Sequence, residues 1–197
     1  MNAKSGWRGW LPLLLISSVG LFLELAVIRW IAAEVRLLAY FKNLPLLAAF
    51  LGLSIGFAHA GKTRDYLPSF VPLLGIFVVL VLAVGRAISP LGLPYPGRGD
   101  EFLWFTMDFS YVLTLALFLG VLLVFFAATT FLFIPLGQAT GREMSGRPPV
   151  PAYIVNLLGS LAGIWIFALL AYLETPPAVW FGLMVAALGA YLAMRQA

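Results

Sequence analysis

Charged residues are scarce in this chain of 197 residues. Asp, Glu, Lys and Arg together make up 10% of the sequence, whereas apolar residues make up 62%. Soluble domains have about 25% charged and about 45–50% apolar residues, and a soluble fold of this size cannot hide so much apolar surface from water. The composition therefore excludes a soluble globular protein and indicates an integral membrane protein.

Cysteine is absent, and His59 is the only histidine. These absences exclude a disulfide framework, a thiolate metal site, a cysteine nucleophile and a multi-histidine metal cluster. The sequence also lacks a glycine-rich nucleotide loop after a strand, and it lacks a pair of acidic residues at catalytic spacing. We therefore expect no catalytic residues, no metal and no cofactor. The basic residues are scattered through short loops, which is not typical of nucleic-acid binding.

Long apolar runs take up most of the sequence. A helix needs about 20 apolar residues to cross a bilayer, and continuously apolar runs exclude the alternating strands of a membrane barrel. We predict an all-α membrane bundle of about six transmembrane helices, forming a single domain, 1–197. The predicted helices cover residues 11–30, 37–60, 67–88, 109–136, 152–173 and 177–194.

Proline, glycine and charge mark the predicted connections. Residues 89–99 and 141–151 are rich in these residue types and are predicted to be loops. Residues 100–108 mix acidic and aromatic side chains, which is typical of a segment at the membrane interface. Lys42, Asn43 and Pro45 lie early in the second helix, so residues 37–43 are either interfacial or a kinked extension of it.

The distribution of Lys and Arg indicates an orientation. With the N-terminus inside, seven basic residues lie on the inner side and five on the outer side. Cytoplasmic loops carry an excess of Lys and Arg, so this distribution favours cytoplasmic positions for both termini. We expect the protein to be integral to the inner membrane of a bacterial or archaeal cell.

Glu24 lies inside the first predicted helix. A carboxyl group within a membrane is costly, and it usually faces the bundle interior with a partner. The candidate partners are Arg29, Lys42, Asn43 and Asn156, although Arg29 is not on quite the same face of the helix. Together these five residues form a candidate intramembrane polar site. The alternatives are a site for a proton or cation and a structural clamp between helices.

Three predicted helices carry small residues four positions apart. This spacing lets two helix backbones approach closely. We expect these faces to pack against other helices of the same chain, and oligomerisation is the alternative. The residues are Gly52 and Gly56, Gly159 and Gly163, and Gly182, Ala186 and Ala190.

Four stretches carry a family resemblance: GLFLELAVIRW, NLPLLAAFLGLSIGF, IPLGQATGRE and AYIVNLLGSLAGIWIFALLAYLETPPAVWF. They resemble the membrane part of membrane-bound spermidine synthase-like proteins, and the last stretch is the most distinctive. The resemblance covers nearly the whole chain.

In that family a polytopic membrane domain precedes a cytoplasmic Rossmann domain of the aminopropyltransferase-like or methyltransferase-like type. These 197 residues contain no segment that matches the Rossmann domain, so no catalytic residue carries over. The resemblance therefore implies a membrane scaffold with Glu24, Arg29, Asn43 and Asn156 as its polar positions. Aminopropyltransferase-like activity would require that a soluble domain be supplied.

Three functions follow from these observations. The first is a membrane scaffold that acts as an anchor or subunit of a larger assembly, with the lipid bilayer and a protein partner or second copy as its partners. The second is a small transporter or carrier with a polar site around Glu24, although no inverted repeat is visible. The third is part of a membrane enzyme for polyamine or methyl transfer. We rank them in that order.

Overall fold

The computed structural model describes residues 9–88 and 109–196, and every regular element in these ranges is helical. The predicted loop at 89–99 and the predicted interfacial segment at 100–108 both lie outside the described residues. A 3₁₀ turn, Leu67–Ser69, precedes the fourth helix. The helices are α1 (Leu11–Glu34), α2 (Arg36–Tyr40), α3 (Asn43–Ala58), α4 (Phe70–Ile88), α5 (Phe109–Met144), α6 (Pro149–Tyr172) and α7 (Pro177–Gln196).

Five segments of the described residues are long and apolar enough to cross a membrane, and they coincide with or overlap α1, α4, α5, α6 and α7. The predicted all-α class is therefore confirmed for the described residues. The five segments support the predicted membrane character, and the count of about six transmembrane helices stays a prediction. Prolines in the first turns of α1 and α6 help to define where these helices start, since a first-turn residue has no intrahelical partner for its N–H group.

The predicted helix at 37–60 is wrong as a single element. It divides into α2 and α3 at Phe41 and Lys42, and α3 has 16 residues. At ~1.5 Å per residue, α3 is about 24 Å long and shorter than the hydrocarbon core. Pro45 explains the break, because it has no N–H group to donate to the carbonyl oxygen of Phe41, four residues earlier. That oxygen instead accepts a hydrogen bond from the amide of Leu44 at 2.9 Å.

The predicted helix at 109–136 is too short. Helix α5 continues through the buried Pro135 to Met144, and the predicted loop at 141–151 is reduced to four residues, 145–148. The extension packs against the end of α3: a Cβ atom at Gly141 would lie 3.4 Å from Cα of Phe57 and 2.8 Å from Cβ of Ala60, just after the helix. Tertiary packing therefore outweighs the helix-breaking tendency of proline and glycine in this segment.

Helices α3 and α5 form a parallel pair with very close backbones. A Cβ atom at Gly52 would lie 2.9 Å from Cβ of Phe133, and one at Gly56 would lie 2.6 Å from the backbone nitrogen of Gln138. Gly137 on α5 similarly meets the backbone of Leu53. Because residue numbers rise together along both helices, the two run in the same direction.

Helices α1 and α6 form a second parallel pair. A Cβ atom at Gly159 would lie 3.0 Å from Cβ of Ser17, and one at Gly163 would lie 3.1 Å from the backbone nitrogen of Phe22. The structure thus places all four glycines of the two Gly-x-x-x-Gly pairs against another helix. We expect Gly163→Leu to lower stability sharply for this reason.

One end of the bundle gathers most of the described basic side chains, and we call it the basic end. It contains Gly9, the connection 59–66, residues 142–148 and Arg195. Gly9 and Arg195 therefore lie at the same end of the structure. Helix α1 runs away from this end through the centre of the bundle. It contacts each of the other six described helices.

The outward faces of the peripheral helices are apolar. Ile76 on α4, Leu123 on α5 and Trp165 on α6 are each between 67% and 69% exposed. In water such surfaces would cause aggregation, whereas lipid tails solvate them. Exposure of this kind on several helices supports placement of the bundle in a membrane.

Candidate functional site

The structure does not bring the five predicted polar-site residues together. Glu24 is buried in the middle of α1, whereas Arg29, Lys42 and Asn43 are exposed. The guanidinium of Arg29 lies 5.7 Å from the ring centroid of Trp180, in a cation–π contact. None of the ion pairs in the described part of the chain includes Glu24. The expected pairing of Glu24 with a nearby base is absent from these residues.

Asn156 has a structural partner of its own. Its Oδ1 accepts a hydrogen bond of 2.7 Å from the hydroxyl of Ser17, in the contact between α1 and α6. Ser17 is one of the residues that Gly159 approaches closely, and Asn156 lies one turn before Gly159, so the bond adds a polar link to a glycine-mediated contact. This geometry matches the structural role and leaves Glu24 without the amide.

Glu24 itself is 3% exposed, and its Oε2 atom has no hydrogen-bond partner among the described residues. Its nearest buried neighbours in sequence are apolar, with Leu23, Ala26 and Val27 all at most 1% exposed. A buried polar group without a partner is costly, and a buried charge is more so. Such a group therefore needs an explanation beyond packing.

Thr129 on α5 is the second buried polar side chain without a partner in the part of the chain that the structure describes. It is 0% exposed, and its Oγ1 atom makes no hydrogen bond to a described residue. The adjacent Thr130 behaves as helical threonines usually do and donates its hydroxyl to the carbonyl oxygen of Phe126 at 2.9 Å. The two threonines thus differ although they occupy consecutive positions of one helix.

Residue counts along α1 and α5 give similar depths for Glu24 and Thr129. The side chain of Arg147 bonds to the carbonyl of Gly9 and to the carboxylate of Glu143, so the start of α1 and the end of α5 are near each other at the basic end. Glu24 is fifteen residues beyond Gly9, and Thr129 is fourteen residues before Glu143. At ~1.5 Å per residue, these counts correspond to about 21–23 Å along each helix.

The helical faces of the two residues are also compatible with proximity. Ser17, Ser18 and Phe22 occupy the α6-facing side of α1, and Glu24 lies on the edge of that side, next to the remaining buried face. Thr129 is about 100° around α5 from Thr130, which faces α3. Helices α1 and α5 contact each other, which is compatible with proximity of the two side chains.

Gly20 marks open space on the same side of α1. It is buried and lies one turn before Glu24, yet a Cβ atom there would have no neighbour within 4 Å. The glycines at the two helix pairs would clash with backbone atoms under the same substitution. Gly20 therefore has a different role from theirs, because it does not serve a close backbone contact.

A polar cluster at the basic end was missed by the sequence analysis. Gln138 is 0% exposed, and its Nε2 donates to the carbonyl oxygens of His59 at 3.0 Å and Arg64 at 2.8 Å. Its Oε1 accepts a hydrogen bond of 2.8 Å from the amide of Tyr66. One side chain thus satisfies three backbone groups of the connection between α3 and α4. No local sequence signal indicates this, because the partners are more than 70 residues away.

Arg142 continues the cluster one turn later on α5. Its guanidinium donates to the carbonyl oxygens of Ala60, Lys62 and Arg64 at 2.7–3.3 Å. It also forms an ion pair of 3.1 Å with Asp65. These bonds fix the same connection from its exposed side.

Glu143 and Asp65 link this cluster to the other helices. Arg147 pairs with Glu143 at 2.9 Å, and the hydroxyl of the buried Tyr191 donates to Glu143 at 3.0 Å. Arg195 pairs with Asp65 at 3.2 Å. The described polar groups of the basic end thus bond to one another and to backbone carbonyls, which is a structural arrangement.

Lys42 and Asn43 lie in a surface cleft at the junction of α2 and α3. The cleft has a volume of about 560 Å³ and is lined by residues between Ala39 and Leu47. Its walls are mainly apolar, and both polar residues are exposed. Glu24 is not among the residues that line the cleft, so the cleft does not unite Lys42 and Asn43 with Glu24 in one site. No group of three potential metal-binding side chains occurs in the ranges 9–88 and 109–196.

The small-residue face predicted on the last helix has no cover. Gly182, Ala186 and Ala190 are exposed, and a Cβ atom at Gly182 would have no neighbour within 4 Å. Gly189 and Ala193 extend this open face and are exposed as well. Within the described residues no helix packs on this face, because α7 buries its opposite side, with Trp180, Met184, Leu188 and Tyr191, and oligomerisation stays the open alternative for this helix.

Comparison of the chain with protein families, with curated proteins and with solved structures gave no match. The resemblance to membrane-bound spermidine synthase-like proteins thus stays a prediction.

Proposed function

We propose that this chain is a polytopic membrane scaffold that acts as an anchor or subunit of a larger assembly. The observation that carries the proposal is the open small-residue face of α7. The two Gly-x-x-x-Gly pairs are each covered by another helix, whereas this face is exposed although it has the same kind of composition. We call it the α7 seam, and it comprises Gly182, Ala186, Gly189 and Ala193.

The physical basis is the way in which helices associate in lipid. The hydrophobic effect gives little drive between helices in a bilayer, so association depends on close backbone approach and on dispersion contacts. Small residues at positions i, i+4, i+7 and i+11 form a continuous shallow groove along one face of a helix. A transmembrane helix of another subunit, or α7 of a second copy, fits this groove.

The polar cluster of the basic end supports a scaffold rather than an enzyme. Gln138, Arg142 and Glu143 are engaged in bonds that brace helices and connections. We further propose that the basic end and both termini face the cytoplasm, because the positive-inside rule favours this side for Arg and Lys. The family resemblance would make the anchored partner an aminopropyltransferase-like or methyltransferase-like domain.

The experiment tests the α7 seam in lipid. Purification in mild detergent followed by native mass spectrometry should detect either a dimer or a co-purifying membrane protein in stoichiometric amount. Gly182→Leu together with Gly189→Leu should abolish that association, because the two side chains fill the groove. The matched control is Gly75→Leu, which changes an exposed glycine on α4 that also has no neighbour within 4 Å.

The proposal fails if the wild-type chain is monomeric without a stoichiometric partner. It also fails if the double variant retains the association, or if Gly75→Leu disrupts association as strongly. The absence of cysteine allows an independent check, because a single cysteine introduced at Ala186 should form a disulfide or a cross-link to the partner.

A further inference from the structure

We propose that Glu24 and Thr129 supply oxygen ligands to a small monovalent cation, Na⁺ or a proton carried by water, held in the space beside Gly20. This site is separate from the α7 seam and does not depend on the scaffold function. Failure of one proposal leaves the other standing, since the first concerns association and the second concerns the response to cations.

The buried Glu24 has no charged partner among the described side chains. Glu24 is buried, and the ion pairs of the described residues use Asp65 and Glu143 but not Glu24. An ionised carboxylate in a low-dielectric interior needs a counter-charge, and this carboxyl obtains none from a described side chain. A cation that enters from water, or a bound proton, supplies it.

The other charged and titratable groups are placed too far along the helices to serve instead. On α1 itself they are Arg29, which is exposed over Trp180, and the exposed Glu34. Helix α3 carries none. The remaining groups whose side chains are described lie toward the ends of the elements packed against α1: Tyr40 on α2, Arg86 on α4, Arg142 and Glu143 on α5, Tyr153 and Tyr172 on α6, and Tyr191 and Arg195 on α7.

The ligand chemistry fits a hard, small cation. Carboxylate and hydroxyl oxygens are the donors that such cations prefer in proteins. The unused Oε2 of Glu24 and the unused Oγ1 of Thr129 lie on buried faces of two helices that contact each other, and residue counts give the two side chains similar depths. A hydroxyl that ignores its usual carbonyl acceptor one turn earlier keeps its lone pairs available for another ligand.

Gly20 provides the room. A buried position where a Cβ atom would have no neighbour within 4 Å is unusual in a close-packed interior. The position lies one turn from Glu24 on the same side of α1, so an ion or hydrated proton beside Gly20 is within reach of the carboxylate. A glycine is not needed there for helix packing, which leaves the ligand as the reason for its small size.

The test measures thermal unfolding of the purified full chain in detergent, with tryptophan fluorescence as the readout. In one series at high pH and fixed ionic strength, choline is replaced by Na⁺. In a second series without Na⁺, the pH is lowered. We expect the midpoint temperature of unfolding to rise by roughly 5 °C at a saturating concentration of the bound cation, since a ligand that binds only the folded state stabilises it. A response to Na⁺ identifies sodium, and a response to pH alone identifies the proton.

The variants separate the site from general salt and pH effects. Glu24→Gln and Thr129→Val should abolish or greatly reduce the response, whereas Glu34→Gln and Thr130→Val should retain it. Gly20→Val places methyl groups in the open space and should also remove the response, and it keeps the test valid if Glu24→Gln does not fold. The proposal is overturned if wild-type protein responds to neither cation, or if the response survives in both Glu24→Gln and Gly20→Val.

Discussion

The basic end and the Glu24 region are both polar and partly or wholly buried, but their polar atoms are satisfied to different extents. At the basic end, Gln138 alone makes three hydrogen bonds to backbone groups, and Arg142 makes bonds to three carbonyls and one carboxylate. In the Glu24 region, Oε2 of Glu24 and Oγ1 of Thr129 make none.

Helix geometry explains this difference. The connection 59–66 lies between two helical elements and forms no helix itself, so its carbonyl groups can accept side-chain hydrogen bonds. In the middle of a membrane helix the backbone groups are already paired within the helix, and side chains find few partners there. A polar side chain at the end of the bundle therefore readily finds hydrogen-bond partners in the protein. An unpartnered polar side chain in the middle of the bundle instead indicates a bound ligand or a destabilising residue that is kept for function.

The largest expected effect is the loss of Gln138. Gln138→Leu removes the acceptor of the Tyr66 amide and one of the two hydrogen bonds made to each of the carbonyl oxygens of His59 and Arg64, so we expect a loss of about 3–4 kcal/mol in the free energy of unfolding. Titration with SDS in mixed micelles measures it. The matched control is Gln196→Leu at an exposed position, which should change stability by less than about 0.5 kcal/mol. Equal effects of the two variants would contradict a bracing role.

Arg142 should come next. Arg142→Met removes the bonds to the connection and leaves Asp65 with Arg195 as its remaining partner, so we expect a loss of about 2–3 kcal/mol. The control is Arg29→Met, which removes an exposed guanidinium and should cost less than about 1 kcal/mol. Chemical unfolding of both variants under one condition gives the comparison. A larger loss for Arg29→Met would reverse the contrast between the two regions.

Glu24→Leu should act in the opposite direction. Because no described side chain pairs with Glu24, its replacement strands no partner, and it removes a buried carboxyl that costs about 2.5–3.5 kcal/mol at a helix centre and less off-centre. We expect a gain of about 1–2 kcal/mol in Na⁺-free buffer at high pH. A loss of stability in that buffer would show that Glu24 holds a protein partner, as a structural clamp does.

The smallest effect distinguishes the two adjacent threonines. Thr130→Val removes a hydrogen bond to the carbonyl of Phe126 and should cost about 1 kcal/mol. Thr129→Val removes a hydroxyl that has no protein partner and should change stability by less than about 0.5 kcal/mol when the cation is absent. Differential unfolding of the pair under cation-free conditions measures this. An equal loss in both would place Thr129 in a hydrogen bond.

The sequence predicts the membrane class and most helix positions because apolar runs of sufficient length leave few alternatives. It predicts the contacts of Gly52, Gly56, Gly159 and Gly163 as a general habit of small residues, but not their partner helices. It does not predict the continuation of α5 through Pro135, because that depends on packing against α3. The break before α3 follows from Pro45, which was noted as a possible kink.

The candidate site is less accessible to sequence reasoning. Glu24 stands out as a carboxyl in an apolar run, yet the partners expected for it are basic and amide residues that the fold places elsewhere. Thr129 has no sequence signal, because threonines in membrane helices usually bond to their own backbone. Gly20 resembles an ordinary packing glycine until its surroundings are known. The juxtaposition depends on the depth and rotation of two helices that are 105 positions apart in sequence at these residues.

The most direct measurement is a high-resolution structure of the full chain in lipid nanodiscs, determined at high pH in Na⁺ and again at low pH without it. The account predicts non-protein density beside Gly20, in contact with the carboxylate of Glu24 and the hydroxyl of Thr129, under the condition that stabilises the protein. A salt bridge from Glu24 to a basic side chain, or a hydrogen bond from Thr129 to its own helix with no density beside Gly20, would contradict it.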